Sequence, residues 1–177
     1  GYGVVNILQS VELVKTPKLY GIIVLWLLKT LYDTLPEVGN LPTPKIAFFF
    51  DEAHLLFNLK DKNIDSIIEN TVRLIRSKGV GVYFVSQSPS DIPDSTLEQL
   101  GNKIQHVLRA STPRGYRNIR AAAIGLRKND KLPDFFEIIQ SLGVGEALVS
   151  LLDDKGRSSI TEQVYIMPPC SYIGVAE

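Results

Sequence analysis

With 177 residues, the chain is long enough for one domain with a core of its own and too short for two ordinary ones. Nineteen Lys and Arg balance nineteen Asp and Glu, which excludes bulk attraction of the whole molecule to nucleic acid or anionic lipid. A single cysteine, Cys170, excludes an intramolecular disulfide framework and fits a reducing compartment. It lies in the tail and carries no functional reading of its own.

Residues 3–8 are a short β-branched run and predict a strand. Pro17 suits a helix start, and residues 18–35 are apolar all round, with Trp26 and Tyr32, until Pro36 stops them. Their longest apolar run, residues 22–28, is far below the ~20 residues of a membrane span. No basic-then-apolar leader is visible at the start, so the expectation is a cytoplasmic protein with no membrane partner. Gly39, Asn40, Pro42 and Pro44 make a loop. Ile46–Phe50 is an unbroken apolar run, suited to a strand buried on both faces of a parallel sheet. Residues 64–78 form an amphipathic helix with Ile64, Ile67, Ile68, Val72 and Ile75 on one side, closed by Gly79.

The next strand covers residues 80–86, followed by a Pro-rich turn at 88–93 and a short helix over 94–100. Residues 103–109 alternate like a strand, and Thr112-Pro113 opens a helix to about Leu126. Another helix starts at Pro133 and ends near Gly143. Residues 146–152 and 160–166 read as closing strands around a turn at 153–156. Strands alternating with helices predict an α/β fold with a mainly parallel sheet. The expected organisation is one domain over residues 1–169 and a tail over 170–177.

The run Ile46–Phe50 ends abruptly in Asp51 and Glu52. Two carboxylates at the end of a buried strand are costly without partners, and in α/β sheets ligands sit beyond the carboxyl ends of the strands. An apolar strand ending in Asp-Glu is the Walker B pattern, in which Asp holds magnesium and Glu activates water. The plainer alternative is a pair of acids capping the next helix. Gln87 ends the following strand; if the two strands are parallel neighbours it reaches the same edge. There an amide can orient water or sense a γ-phosphate, or it can simply cap the turn before Ser88-Pro89.

Arg73 and Arg76 fall in the last turn of a helix, where cations suit the helix dipole and where an arginine finger can also sit. His54 reads more simply as a packing residue at a helix start. Two His and one Cys give no metal-ligand spacing, and no Gly-x-Ser-x-Gly elbow serves a serine hydrolase. Charge is sorted along the chain: residues 101–132 carry a balance of +7, and residues 133–177 one of −5. Arg114, Arg117 and Arg120, beside Tyr116 on the expected helix, are candidate DNA or subunit-interface contacts, or a solvated face. Lys103 and Arg109, on the preceding strand, stand to extend that patch or to serve a subunit interface. No Gly-x-x-x-x-Gly-Lys-Ser/Thr loop occurs in the 177 residues.

Three segments taken together carry a resemblance: residues 48–57 (Phe-Phe-Phe-Asp-Glu-Ala-His-Leu-Leu-Phe), 72–87 (Val-Arg-Leu-Ile-Arg-Ser-Lys-Gly-Val-Gly-Val-Tyr-Phe-Val-Ser-Gln) and 142–150 (Leu-Gly-Val-Gly-Glu-Ala-Leu-Val-Ser). In this order they resemble the C-terminal portion of the bacterial HerA-like ATPases, a branch of the HerA–FtsK superfamily, over roughly residues 1–169. The resemblance implies a RecA-like core, a ring of subunits (commonly hexameric), and magnesium-dependent ATP hydrolysis at subunit interfaces coupled to DNA translocation. It assigns Asp51 to the magnesium shell, Glu52 as base, Gln87 as sensor and Arg76 as the finger entering a neighbouring site, with Arg73 a weaker match. The family's P-loop lies upstream of the matched region. The expectation is therefore a fragment of an ATPase that does not bind or hydrolyse ATP by itself. A helicase of the Asp-Glu-Ala-His type fits less well, because Ser86-Gln87-Ser88 stands where Ser-Ala-Thr belongs. A non-catalytic oligomerisation or interaction module derived from such an ATPase is the alternative from a different class.

Overall fold

The computed structural model describes residues 3–39, 41–57, 62–153 and 155–168. The fold is α/β, in two compact units over residues 1–99 and 100–177.

In the first unit, the short helix α1 (Val11–Val14) precedes α2 (Pro17–Thr34), which has Pro17 in its first turn, where the missing N–H costs nothing. Tyr20, Val24 and Leu28 are buried at the i, i+4 spacing that stacks side chains on one face. Strand β1 (Ile46–Phe50) leads through α3 (His54–Phe57) to α4 (Lys62–Ile75). A 3-10 turn, Arg76–Lys78, then ends on Gly79 in the left-handed region, at φ 75°. Strand β2 (Val80–Phe84) pairs parallel with β1 from Ile46↔Val80 to Phe50↔Phe84. A 3-10 turn (Pro89–Asp91) and α5 (Asp94–Leu97) follow.

The core of this unit joins Leu28 to Phe50, Ala53, Leu56, Ile68, Ile75 and Val80. It covers one face of the β1–β2 pair. Phe49 and Tyr83, stacked at 4.5 Å on the other face, remain 69% and 44% exposed. The strand expected to be buried on both faces is thus buried on one within this unit, because its helical cover lies on the side of Phe50. The strand expected over residues 3–8 does not form; Val4, Val5, Ile7 and Leu8 are exposed coil. A strand exists through its ladder, and these residues have no ladder partner among the described residues.

In the second unit, β3 (Lys103–Gln105), β4 (Glu146–Ser150) and β5 (Glu162–Tyr165) form an antiparallel sheet in the order β3-β4-β5. Helices α6 (Pro113–Ile124) and α7 (Phe135–Ser141) supply Ile119, Ala122, Phe135, Ile138 and Ile139 to a core that includes Leu148. Thr112 caps α6 by accepting from the Gly115 N–H, and Asp134 caps α7 by accepting from the Phe136 N–H. Among the described residues, parallel pairing is confined to β1 and β2. The tail, with Cys170, lies outside the described residues, as does the side chain of Ile64. No helix among the described residues is long and apolar enough to cross a membrane.

Candidate functional site

The parallel register brings the ends of β1 and β2 to one edge of the first unit. Val85 N–H donates to Phe50 O and Ala53 N–H to Val85 O, both at 2.9 Å. These bonds carry the pairing past the last residue of each strand. Asp51, Glu52 and Gln87 leave the sheet at this edge. Buried Ala53 and Leu56, under the start of α3, anchor the turn from below.

Glu52 turns the chain with φ +51° and is the one non-glycine residue at positive φ among the described residues. That conformation costs an L-residue about 1–2 kcal/mol, and such backbone strain clusters at functional sites. The turn aims the Glu52 side chain at Gln87, whose Nε2 donates to Glu52 Oε1 at 2.8 Å across 35 positions of sequence. On the other side His54 Nδ1 stands 3.1 Å from Glu52 Oε2. Oε2 is shut from solvent and accepts no well-formed hydrogen bond among the described residues. Ser86 Oγ donates to Asp91 Oδ2 at 3.1 Å, tying the residue before Gln87 to the next turn.

Asp51 is exposed, and its Oδ1 accepts the Glu52 N–H at 3.0 Å. Its second oxygen accepts no hydrogen bond among the described residues. A carboxylate oxygen facing water is a hard donor of the kind that holds magnesium through water, so the residues present fit that ion. No group of three or more His, Cys, Asp or Glu gathers as a direct metal cage among the described residues. Neither acid caps α3: Asp51 bonds its own neighbour, while the Glu52 side chain meets Gln87 and His54. Gln87 likewise spends its amide on Glu52 rather than on the turn before Ser88. His54, expected as a packing residue at a helix start, is the first residue of α3 and also the second neighbour of the Glu52 carboxylate. Its position two residues along was in view, but the turn that brings it back was not.

Arg76 lies elsewhere on the same unit. It is exposed in the 3-10 turn that precedes β2, whereas Gln87 follows β2. A five-residue strand separates them, about 15 Å at about 3.3 Å per residue. Arg73 donates from Nη2 to Asn70 Oδ1 at 2.9 Å, within its own helix. The turn is pinned by Lys78, whose Nζ donates to Leu35 O at 2.9 Å and sits 3.1 Å from Glu37 Oε1 and 5.1 Å from the Tyr32 ring. The Ser77 hydroxyl first, and then Lys78, hold the Glu37 carboxyl below its usual range.

The basic stripe belongs to the second unit. Arg114, Arg117 and Arg120 are exposed on α6. Tyr116 stacks on Phe136 at 6.2 Å, and the Arg120 guanidinium lies 5.9 Å from the same ring. Lys103 is withdrawn from the stripe, since its Nζ donates to Gly125 O at 2.9 Å and closes the C-terminal end of α6.

A family model described as the helicase HerA-like C-terminal region matches residues 1–177. The chain belongs to this family. Among curated relatives of this HerA-like chain, a "probable helicase" of Methanocaldococcus jannaschii is 29% identical over 124 residues, 69% of this chain and 22% of the relative. A "probable DNA double-strand break repair helicase HerA" of the same archaeon is 29% identical over 108 residues, 60% of this chain and 20% of the relative. The HerA-like chain thus spans about a fifth of the length of these relatives. A solved structure of a genome-packaging NTPase from Sulfolobus turreted icosahedral virus 2, in complex with AMPPCP, aligns with a TM-score of 0.48. It is 17% identical, over 70% of this chain and 53% of the other.

Proposed function

We propose that this chain is the Walker B-containing part of an ATP-hydrolysing, helicase- or translocase-like motor, with residues 1–169 contributing the C-terminal part of a RecA-like domain. The observation that carries the reading is the Gln87–Glu52 hydrogen bond at the edge where Asp51 also ends its strand. In this reading Asp51 supplies an oxygen to the hydration shell of magnesium, and Glu52 takes the proton of the attacking water. Gln87 reports the loss of the γ-phosphate through its bond to that carboxylate. Magnesium, when bound, neutralises charge on the phosphate oxygens. The nucleotide's phosphates are cradled by a P-loop upstream of the matched region in the complete protein, and the isolated chain is inactive.

Arg76 serves the site of an adjacent subunit. Its place before β2, at the opposite end of the strand from Gln87, supports action in trans rather than on its own Glu52. A planar guanidinium delivered to spreading phosphate charge contributes about 10³–10⁵ in rate in related chemistry. The assembly is a homo-oligomeric ring, commonly hexameric, and the working compartment is the cytoplasm. DNA is the polymer on which it acts. Exposed Arg114, Arg117 and Arg120 suit phosphate contact or a subunit face, and Tyr116, half-covered by Phe136, offers an edge to a base.

The test compares magnesium-dependent ATP hydrolysis by this chain and by the complete protein. Activity confined to the complete protein supports the reading, and activity in neither favours a non-catalytic interaction module. Mixing Arg76→Ala with Glu52→Gln subunits then tests the trans role. Interfaces pairing an intact Glu52 with an intact Arg76 recover turnover that neither variant shows alone. Full activity of Arg76→Ala by itself refutes the finger.

A further inference from the structure

We propose that His54 is a positioning residue for hydrolysis. Its Nδ1, 3.1 Å from Glu52 Oε2, turns its N–H onto that oxygen when nucleotide binds and, opposite Gln87, locks the carboxylate so that Oε1 is the oxygen that receives the proton of water. The inference rests on the reading of Glu52 as the base.

Three features of the edge lead to it. Glu52 Oε2 is closed off from solvent without a well-formed hydrogen bond, and a buried carboxylate oxygen lacking a donor is costly. The nitrogen available to it is His54 Nδ1 at 3.1 Å, and hydrogen bonds in resting sites are often poorly aligned and tighten when the ligand is bound. The left-handed turn at Glu52 brings residue 54 back beside residue 52, and His54 is the first residue of α3. Its backbone is therefore held by a single-turn helix in which Leu56 and Phe57 are buried.

Each oxygen of the base then has one assigned neighbour. Gln87 Nε2 holds Oε1 at 2.8 Å, and that oxygen keeps a second lone pair free. The Glu52 side chain is 40% exposed, yet none of that exposure belongs to Oε2, so Oε1 is the atom left for water. A neutral imidazole protonated on Nδ1 is sufficient, because the role is to donate and to orient, not to carry charge. Without it the carboxylate is free to rotate Oε2 toward solvent and lose its alignment with Gln87.

The experiment measures steady-state ATP hydrolysis by the complete protein with magnesium. His54→Ala is expected to lower kcat by about 10–100-fold, the scale on which partners that orient a reactive group act, with KM for ATP within about twofold. His54→Asn is expected to recover much of that loss, since its amide nitrogen stands where Nδ1 stood. His54→Gln places its nitrogen where Nε2 stood and is expected to remain low. In a Glu52→Gln background, His54→Ala is expected to cost nothing further. Unchanged kcat in His54→Ala overturns the proposal. So do equal rates in His54→Asn and His54→Gln, or the same fractional loss whether or not Glu52 is present. The Asn–Gln comparison decides the matter even where His54→Ala fails to fold. Absence of turnover in the wild-type protein is a separate outcome: it removes Glu52 as a base, and the positioning role with it.

Discussion

Replacing Glu52 by Gly and by Ala should invert the usual order of stability. At an ordinary helix or strand position glycine is the less stable of the two by roughly 0.5–1 kcal/mol, because it loses more chain entropy on folding. Glu52 sits at φ +51°, where alanine bears a left-handed penalty of about 1–2 kcal/mol and glycine bears none. Setting that penalty against the entropy term leaves Glu52→Gly more stable than Glu52→Ala by about 0.5–1 kcal/mol. Glu52→Gln keeps both side-chain length and backbone strain, and should match the wild type more closely than either. Urea unfolding followed by far-UV circular dichroism reads the difference. With a slope of about 1–3 kcal/mol/M, the Gly and Ala midpoints should lie about 0.3–0.5 M apart. Alanine as stable as glycine, or more so, would show that residue 52 does not hold the left-handed turn. The approach of Glu52 to Gln87 and to His54 would then lose its structural basis.

Other positions test the frame around the site. Gly79→Ala is expected to cost about 1–2 kcal/mol by the same left-handed penalty, with more from a Cβ placed 3.1 Å from Val38 Cγ2 and 3.2 Å from Leu41 Cδ1; thermal melting reads it, and an unchanged midpoint would contradict the turn. Asp134→Ala removes the cap of α7 and should cost about 1 kcal/mol, whereas Asp134→Ser should cost less, both by chemical denaturation. The Asp153 carboxyl is held below its usual range, chiefly by the Arg157 backbone N–H, then by the Lys155 N–H and the Arg157 side chain. Because its folded pKa is the lower one, its contribution is present above the unfolded pKa and is lost as pH falls through the folded value. The stability gap between wild type and Asp153→Asn should therefore be open near neutrality and close in acid; a gap that widens on acidification would reverse the assignment.

Much of the site's placement was legible in the residues themselves. Five apolar residues followed by two acids located β1 to the residue, and Gly79 marked the end of the helix-plus-turn before β2. Parallel pairing then followed from the helix between the strands. Residues 3–8 misled because β-branched composition expresses a preference, whereas a strand needs an edge to join. Phe49 misled for a related reason: an unbroken apolar run records what a strand tolerates on both faces, not what a given stretch of chain supplies to cover them. Pro133 marked the start of α7 two residues early, the cap itself being Asp134.

The contacts of the candidate site were the least legible. Gln87 and Glu52 lie 35 positions apart, and their bond depends on strand register. The positive φ of Glu52 has no signature in a residue type that seldom adopts it. His54 was visible as a letter beside the acids, but its approach to Glu52 follows only once that turn is known. Lys103 was read as part of a basic patch because charge pattern does not reveal that its ammonium closes α6.

The most direct test of the central claim is ATP binding and turnover by Glu52→Gln in the complete protein with magnesium. The expected result is nucleotide affinity near the wild-type value with turnover lowered by about 10²–10⁴-fold, the loss that follows removal of a general base. Wild-type turnover in Glu52→Gln would contradict the assignment of the carboxylate held between Gln87 and His54 as the group that activates water.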